Sequence, residues 1–222
     1  MSPSNTDWVT AYPYRGERRE FVSPNVGLMH SFAYWKRFGI IKHFDYPWRI
    51  VDVGACVGGF VVPFLENLPN ATADLFEPWQ LCWDYLLHNV KGLPVRVHPE
   101  AVAAGRKEIT LSYSERFKVM GCPSVYGTGI EARTVQAVAL DDVLIGKVDW
   151  LKIDVEGYEL EVLKGADNIL REMHPATIVE IKQVHQVRSG HKASDVVDYM
   201  TGCGYDRMTH INANDYLFER KA

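Results

Sequence analysis

No stretch of this 222-residue chain reads G-x-x-x-x-G-K-[ST], so a P-loop cradle for nucleotide phosphates is disfavoured. The dinucleotide fingerprint G-x-G-x-x-G is missing too. The segment that comes nearest to it, Ile50 to Phe60 (IVDVGACVGGF), has its glycines at Gly54, Gly58 and Gly59. Cys56 stands where the second glycine would let the backbone approach a pyrophosphate. No apolar run approaches the roughly 20 residues needed to span a bilayer, and nothing near Met1 resembles a cleavable signal. A cytoplasmic protein with no membrane partner is expected. Cysteine is scarce: Cys56, Cys82, Cys122 and Cys203 show neither paired zinc spacing nor the density of a disulfide scaffold, and read as reduced thiols. The Asn70-Ala71-Thr72 sequon is then an accident of composition. Basic residues are dispersed and the formal net charge is −4, which disfavours a nucleic-acid partner. Internal repeats and low-complexity linkers are absent.

At 47% hydrophobic and 23% charged residues the chain can bury a full core as one domain, or one domain with a short extension. Strands and helices alternate, the pattern of a parallel sheet covered on both faces. Strands are expected at Arg49–Val53, Ala73–Phe76, Val95–His98, Asp149–Asp154 and Ala176–Ile181. Helices are expected at Phe60–Leu68, Trp79–Val90, Glu159–Arg171 and Ser194–Cys203. Ile109–Tyr113 and Ala132–Ala139 read as a β excursion around a glycine-rich loop, with a helical turn from Leu140. Tyr205–Ile211 and Tyr216–Arg220 read as a terminal antiparallel hairpin. Residues 1–48, rich in aromatics and bases, read as an N-terminal helical extension or a cap over the site; residues 49–222 form the main domain.

The chemistry starts where strand one breaks into the glycine loop. A lone carboxylate, Glu77, closes the next strand in Leu75-Phe76-Glu77-Pro78, and can accept hydrogen bonds from both hydroxyls of a ribose. With pyrophosphate disfavoured, a ribose-bearing ligand of little anionic charge remains, and S-adenosylmethionine fits. Asp52 lies inside strand one, where an unpaired carboxylate is costly, so it is read as bonding loop amides or the cofactor's amino end. A second motif is Trp150-Leu151-Lys152-Ile153-Asp154-Val155-Glu156-Gly157-Tyr158-Glu159. Strand alternation puts Lys152 and Asp154 on one face. Gly54, Glu77 and Asp154 all fall at carboxyl ends of strands, where open α/β sheets collect their ligands.

These residues resemble a known family. IVDVGACVGGF, DLFEP, VHPEAVAAG and above all LKIDVEGYELEVLKGA followed by IVEI resemble the FkbM-type methyltransferases, a branch of the class I S-adenosylmethionine-dependent enzymes. The resemblance runs from Arg49 to Phe218. It implies a Rossmann-like fold with a mostly parallel seven-stranded sheet, an antiparallel last strand and helices on both faces. It also implies S-adenosylmethionine as cofactor and O-methyl transfer.

The expected cofactor-binding residues are Asp52, Gly54, Ala55, Gly58, Glu77, Pro78, Trp79, Glu100, Ala101 and Asp154. Gly54 and Gly58 are read as positions where turn and cofactor leave no space for a Cβ. Trp79 either lies against the adenine or belongs to the core; Glu100 either meets the adenine edge or is a surface acid. The catalytic candidates are Asp154, beside the methyl, and Glu156, as the base that takes the acceptor's hydroxyl proton. Their plain alternatives are a contact to the methionine amino group and a helix cap. Lys152 is read as a structural partner of Asp154 or Glu180. Glu180 and Lys182 could join Asp154 around a divalent metal, but an ion-pair network is preferred and no metal is assigned. His185 and His191, in the loop after strand five, could serve as base, touch the acceptor, or simply be solvated.

The expected activity is methyl transfer to a hydroxyl of a sugar, glycan or small natural product. The alternatives are a nucleic-acid 2′-O-methyltransferase, for which Lys152, Asp154, Lys182 and Glu180 supply the residue types, and a non-catalytic nucleoside-binding module. Exposed aromatics in the first segment would suit a homodimer contact.

Overall fold

A computed structural model of the chain describes residues 8–14, 17–23, 46–113, 124–125, 131–182, 189–211 and 214–221. The first elements are an antiparallel hairpin, β1 (Trp8–Tyr14) and β2 (Glu17–Ser23). The helical extension expected for residues 1–48 is therefore not what forms at these positions, and residues 24–45 lie outside the described ones. Phe21 and Val22 are strand-favouring residues, and Phe21, Val22 and Ser23 are all buried. Phe21 is fully buried in the same core as the glycine loop and the helix after it.

The main domain follows the alternation read from the sequence: β3 (Arg49–Val53), α1 (Val61–Asn67), β4 (Thr72–Phe76), α2 (Gln80–Asn89) and β5 (Val95–His98). A short β6 (Ala101–Val102), β7 (Lys107–Tyr113) and β8 (Glu131–Val138) form a separate small sheet, the expected β excursion. Then come α3 (Leu140–Val143), β9 (Trp150–Ile153), α4 (Glu159–Lys164), β10 (Ala176–Glu180), α5 (Ala193–Gly202), β11 (Arg207–His210) and β12 (Asp215–Glu219).

The large sheet has seven strands in the order β11-β12-β10-β9-β3-β4-β5. Every described pairing from β10 to β5 is parallel, and β12 runs antiparallel between β10 and β11. The Rossmann-like fold implied by the resemblance is thus the one observed. Period-two alternation sorts the side chains between two cores. Ile50, Trp150, Ile178 and Leu217 pack on one face with α1; Val51, Val53, Leu151, Ile153, Val179 and Phe218 pack on the other with α4 and α5.

One expected helix is interrupted. Glu159–Arg171 ends as α4 at Lys164 and resumes as a π-helical turn at Ile169–Met173. A Cβ on Gly165 would lie 2.0 Å from the Ala103 carbonyl oxygen, so the chain passes here at backbone contact. Asp141 then caps the resumed turn, accepting from the N–H groups of Asn168 (2.8 Å) and Ile169 (3.0 Å).

Besides the burial of Phe21, a polar side chain fastens the hairpin. Buried Asn89 at the end of α2 accepts from the Val22 N–H (2.8 Å) and donates to the carbonyls of Val22 (2.9 Å) and Val57 (2.8 Å). Asn89→Ala leaves these three buried groups without their acceptor or donor, and is expected to lower stability by about 3 kcal/mol. Limited proteolysis should then cut within residues 8–23 before the main domain is attacked.

Candidate functional site

The site lies at the carboxyl ends of β3, β4 and β9, and backbone bonds hold those ends together. The N–H groups of Gly54 (2.9 Å) and Ala55 (3.2 Å) donate to the Phe76 carbonyl, and that of Asp154 to the Val53 carbonyl (3.0 Å). Gly54 takes a φ of +83°, and a Cβ there would fall 1.9 Å from the Asp154 carbonyl oxygen. Only glycine lets β3 turn away this close to β9. The reason is the neighbouring strand rather than the cofactor. Gly58 takes a φ of +84°, while a Cβ there would lie 3.3 Å from the Leu86 side chain and at ordinary contact distance from Val62 and Val90, so its place is set by the backbone turn.

A pocket opens above these strand ends. Asp52, Gly54, Ala55, Glu77, Pro78, Ala101, Asp154 and Glu156 line it, bringing together eight of the residues singled out from the sequence. Gly58, Trp79 and Glu100 are not among its lining residues. The indole of Trp79 is instead buried in a cluster with Cys82, Ile109 and Leu111. What Trp79 contributes is its backbone: its N–H donates to Glu77 Oε1 at 2.7 Å, while the Cys56 N–H donates to Oε2 at 2.8 Å. Glu77 is thus aimed by two amides, and each oxygen retains a lone pair for a second donor. Burial pushes its carboxyl up to about 7 despite these bonds.

Asp52 is 1% exposed, and its Oδ2 has no hydrogen-bond partner among the described residues. Burial raises its carboxyl to about 7, with Lys152 opposing and Asp154 and Glu77 adding to the rise. A buried carboxylate oxygen facing a pocket is a place for a cation. The opposite wall is apolar: Ala101 and Val102 of β6, Ile109 and Leu111 of β7, and Val125. The small sheet therefore supplies most of an apolar lining that no motif in the sequence announced.

Beyond Asp154 the pocket becomes a network of charges. Lys152, 6% exposed, lies 3.1 Å from Asp154 and 3.6 Å from Asp215. Its expected partner Asp154 is thus found, with Asp215 in place of Glu180 as the second. Lys182 lies 2.7 Å from Glu180 and donates at 3.3 Å to each Glu156 carboxylate oxygen. One oxygen from each of Asp154, Glu156 and Glu180 falls within 4.8 Å of the others. Lys152 with Asp154 and Asp215, and Lys182 with Glu156, form an ion-pair network here. Burial works against ionisation of Asp154, but the ammonium of Lys152 and contacts with Glu180 and Lys182 lower it to about 2. Burial and the Asp154 charge push Glu180 up to about 9. Asp154 is then an anion, with Glu180 the protonated partner beside it. Glu156 is held with φ +56°, and its carbonyl accepts from Ser124 Oγ at 2.8 Å.

Sequence reasoning passed over Asp215. It sits at the start of β12 in register with Glu180, so only the insertion of β12 beside β10 brings it to the pocket. His191 is half-buried and away from the lining residues, and His185 lies outside the described ones.

The profile of the methyltransferase FkbM domain matches residues 52–207. The chain is 28% identical to the methyltransferase sdnD of Sordaria araneosa, over 63% of this chain and 68% of that protein. The crystal structure of the methyltransferase FkbM from Methylobacillus flagellatus superposes with a TM-score of 0.61 at 17% identity, covering 85% of this chain and 47% of that one. This chain therefore spans about half the length of that relative. The fibrillarin of Aeropyrum pernix, solved with natively bound S-adenosyl-L-methionine, shares the fold with a TM-score of 0.55 at 14% identity, over 97% of this chain and 84% of that one.

Proposed function

Because this chain belongs to the FkbM methyltransferase family, we propose that it binds S-adenosylmethionine and transfers its methyl group to a hydroxyl oxygen of a sugar, a glycan or a small natural product. The observation that carries this reading is the convergence of Asp52, Glu77 and Asp154 from three adjacent strand ends on one pocket. The residues present fit the cofactor. The buried Oδ2 of Asp52 suits the ammonium of its methionine end, Glu77 suits the ribose diol, and the wall of Ala101, Val102, Ile109, Leu111 and Val125 suits the adenine. When bound, the cofactor supplies an electrophilic methyl on a sulfonium.

Methyl transfer is an in-line displacement, so this chain must align the acceptor oxygen and remove its proton. Asp154, fixed as an anion by Lys152 and with 37% of its side chain open to solvent, accepts the hydroxyl hydrogen bond and orients the oxygen. Glu156 takes the proton. Its left-handed backbone is uncommon for a non-glycine residue, and such strain persists where the surroundings enforce it. Here Lys182 and Ser124 do so. Among the described residues around the acceptor, the carboxylates of Asp154, Glu156 and Asp215 outnumber the ammonium groups of Lys152 and Lys182, with Glu180 protonated beside them. This excess of acid repels a phosphate-bearing acceptor and argues for a neutral one over a nucleic acid.

Calorimetric titration with S-adenosylmethionine and with NAD, followed by transfer of a labelled methyl to neutral and phosphorylated acceptors, tests the reading. Binding of the former alone, with label on neutral hydroxyls, is the expected result. Failure to bind S-adenosylmethionine, or label appearing on RNA, overturns it.

A further inference from the structure

We propose that Cys56 and Cys82 form an oxidation site in the wall of this pocket, where a hydroperoxide joins them as a disulfide and weakens cofactor binding. The two cysteines are far apart in sequence, one in the glycine loop and one in the first turn of α2, yet their sulfurs lie 3.8 Å apart and both residues line the pocket. Cys56, Cys82 and Cys203 are all thiols in this structure.

A disulfide has an S–S length of about 2.05 Å, so closing this contact requires the sulfurs to approach by about 1.8 Å. Cys82 is poorly placed to move. It is 3% exposed in a packed cluster, and its N–H donates to the Trp79 carbonyl at 2.9 Å. Cys56 is half-buried on an irregular loop, with a φ of +50° that a non-glycine residue seldom adopts. The displacement therefore falls on Cys56. Its N–H is one of the two amides that aim Glu77, so the bridge shifts the donor at 2.8 Å from Oε2. This consequence rests on the proposed cofactor site; formation of the bridge does not.

The chemistry balances without a bound group. One thiol sulfur attacks the peroxide, the O–O bond breaks, and a sulfenic acid forms with release of water or alcohol. The second sulfur then displaces the sulfenic oxygen as water, leaving the disulfide. In sum, two thiols lose two protons and two electrons, and the peroxide gains them. Hydrogen bonding to Cys82 and burial push the Cys56 thiol up, with Glu77 and Asp154 adding to the rise. The thiolate is the nucleophile, so the reaction is slow at neutral pH and faster in alkali. A bound cofactor covers the lining and protects the pair.

The test uses the reduced full chain, treated with hydrogen peroxide with and without S-adenosylmethionine and mapped by mass spectrometry under non-reducing conditions. A linked Cys56–Cys82 peptide that appears without cofactor and is suppressed by it is the expected product. Calorimetry should show affinity for S-adenosylmethionine at least tenfold weaker after oxidation and restored by dithiothreitol. Cys82→Ser should form no such link and hold, under peroxide, the affinity it had before treatment. Absence of the linked peptide, or a linked chain with undiminished affinity, overturns the proposal. If the reduced chain binds no S-adenosylmethionine but still forms the link, the cofactor reading fails and the oxidation site stands.

Discussion

Glu77→Gln is expected to weaken S-adenosylmethionine binding about 100-fold in calorimetry, a loss near 2.7 kcal/mol. The side chain sits between the N–H groups of Cys56 and Trp79, and a carboxylate can accept from both while offering each ribose hydroxyl an oxygen. A carboxamide accepts on one side only. One ribose hydroxyl and one backbone N–H therefore lose their acceptor, and a hydrogen bond to a charged group is worth about 1.5–3 kcal/mol. Circular dichroism should show the fold retained, because the change leaves the strands and their two cores untouched.

The same group sets a pH dependence. Burial raises Glu77 from its ordinary 4.5 to about 7 and Asp52 from 3.8 to about 7. A carboxyl whose folded pKa is raised stabilises the fold fully below its unfolded pKa, and that contribution is lost as pH rises through the folded value. These two groups thus make the apoprotein less stable from about pH 4 to pH 7. Binding runs the other way. Asp52 must be ionised to meet an ammonium, and Glu77 is the better ribose acceptor as an anion. Affinity for S-adenosylmethionine should therefore rise between pH 6 and pH 8, less steeply in Glu77→Gln, where one titrating group is gone. A flat profile in the wild type would remove Asp52 and Glu77 from the site.

The second large effect is expected at Glu156. Glu156→Gln should lower kcat by about 100-fold to 1000-fold, the contribution typical of a positioned base, with the dissociation constant for S-adenosylmethionine unchanged. The companion variant Glu156→Gly separates chemistry from backbone. At φ +56° glycine relieves the strain of the left-handed conformation, so thermal stability should hold while turnover is lost as in the glutamine variant. Near-normal turnover in Glu156→Gln would transfer the proton to Asp154.

The site was legible wherever its signals were local. Strand periodicity foretold β3 and β5 to the residue, placed Lys152 and Asp154 on one face, and put Glu77 at a strand end. Other readings depended on neighbours that no local pattern reveals. Trp79 was singled out for its ring, but the ring is core and the amide serves the site; an aromatic at a helix start looks the same in either case. Gly54 and Gly58 are read as positions without room for a side chain; at Gly54 the atom that takes the room, the Asp154 carbonyl oxygen, lies beyond another strand, while at Gly58 the positive φ rather than crowding calls for glycine. After α4 the chain passes the Ala103 backbone at Gly165, which has no Cβ to obstruct it, a contact with no trace in helical periodicity.

By itself the sequence determined the parallel α/β architecture, the glycine loop, and which carboxylates close which strands, because alternation and turn chemistry act between near neighbours in the chain. Only the tertiary structure decided that Asp215 joins the acids of the pocket, that a small side sheet forms its apolar wall, that Asn89 holds an N-terminal hairpin, and that two distant thiols touch. Those outcomes depend on how β12 inserts beside β10 and how β6, β7 and β8 fold back over the strand ends. They arise from pairing and packing between elements far apart in sequence.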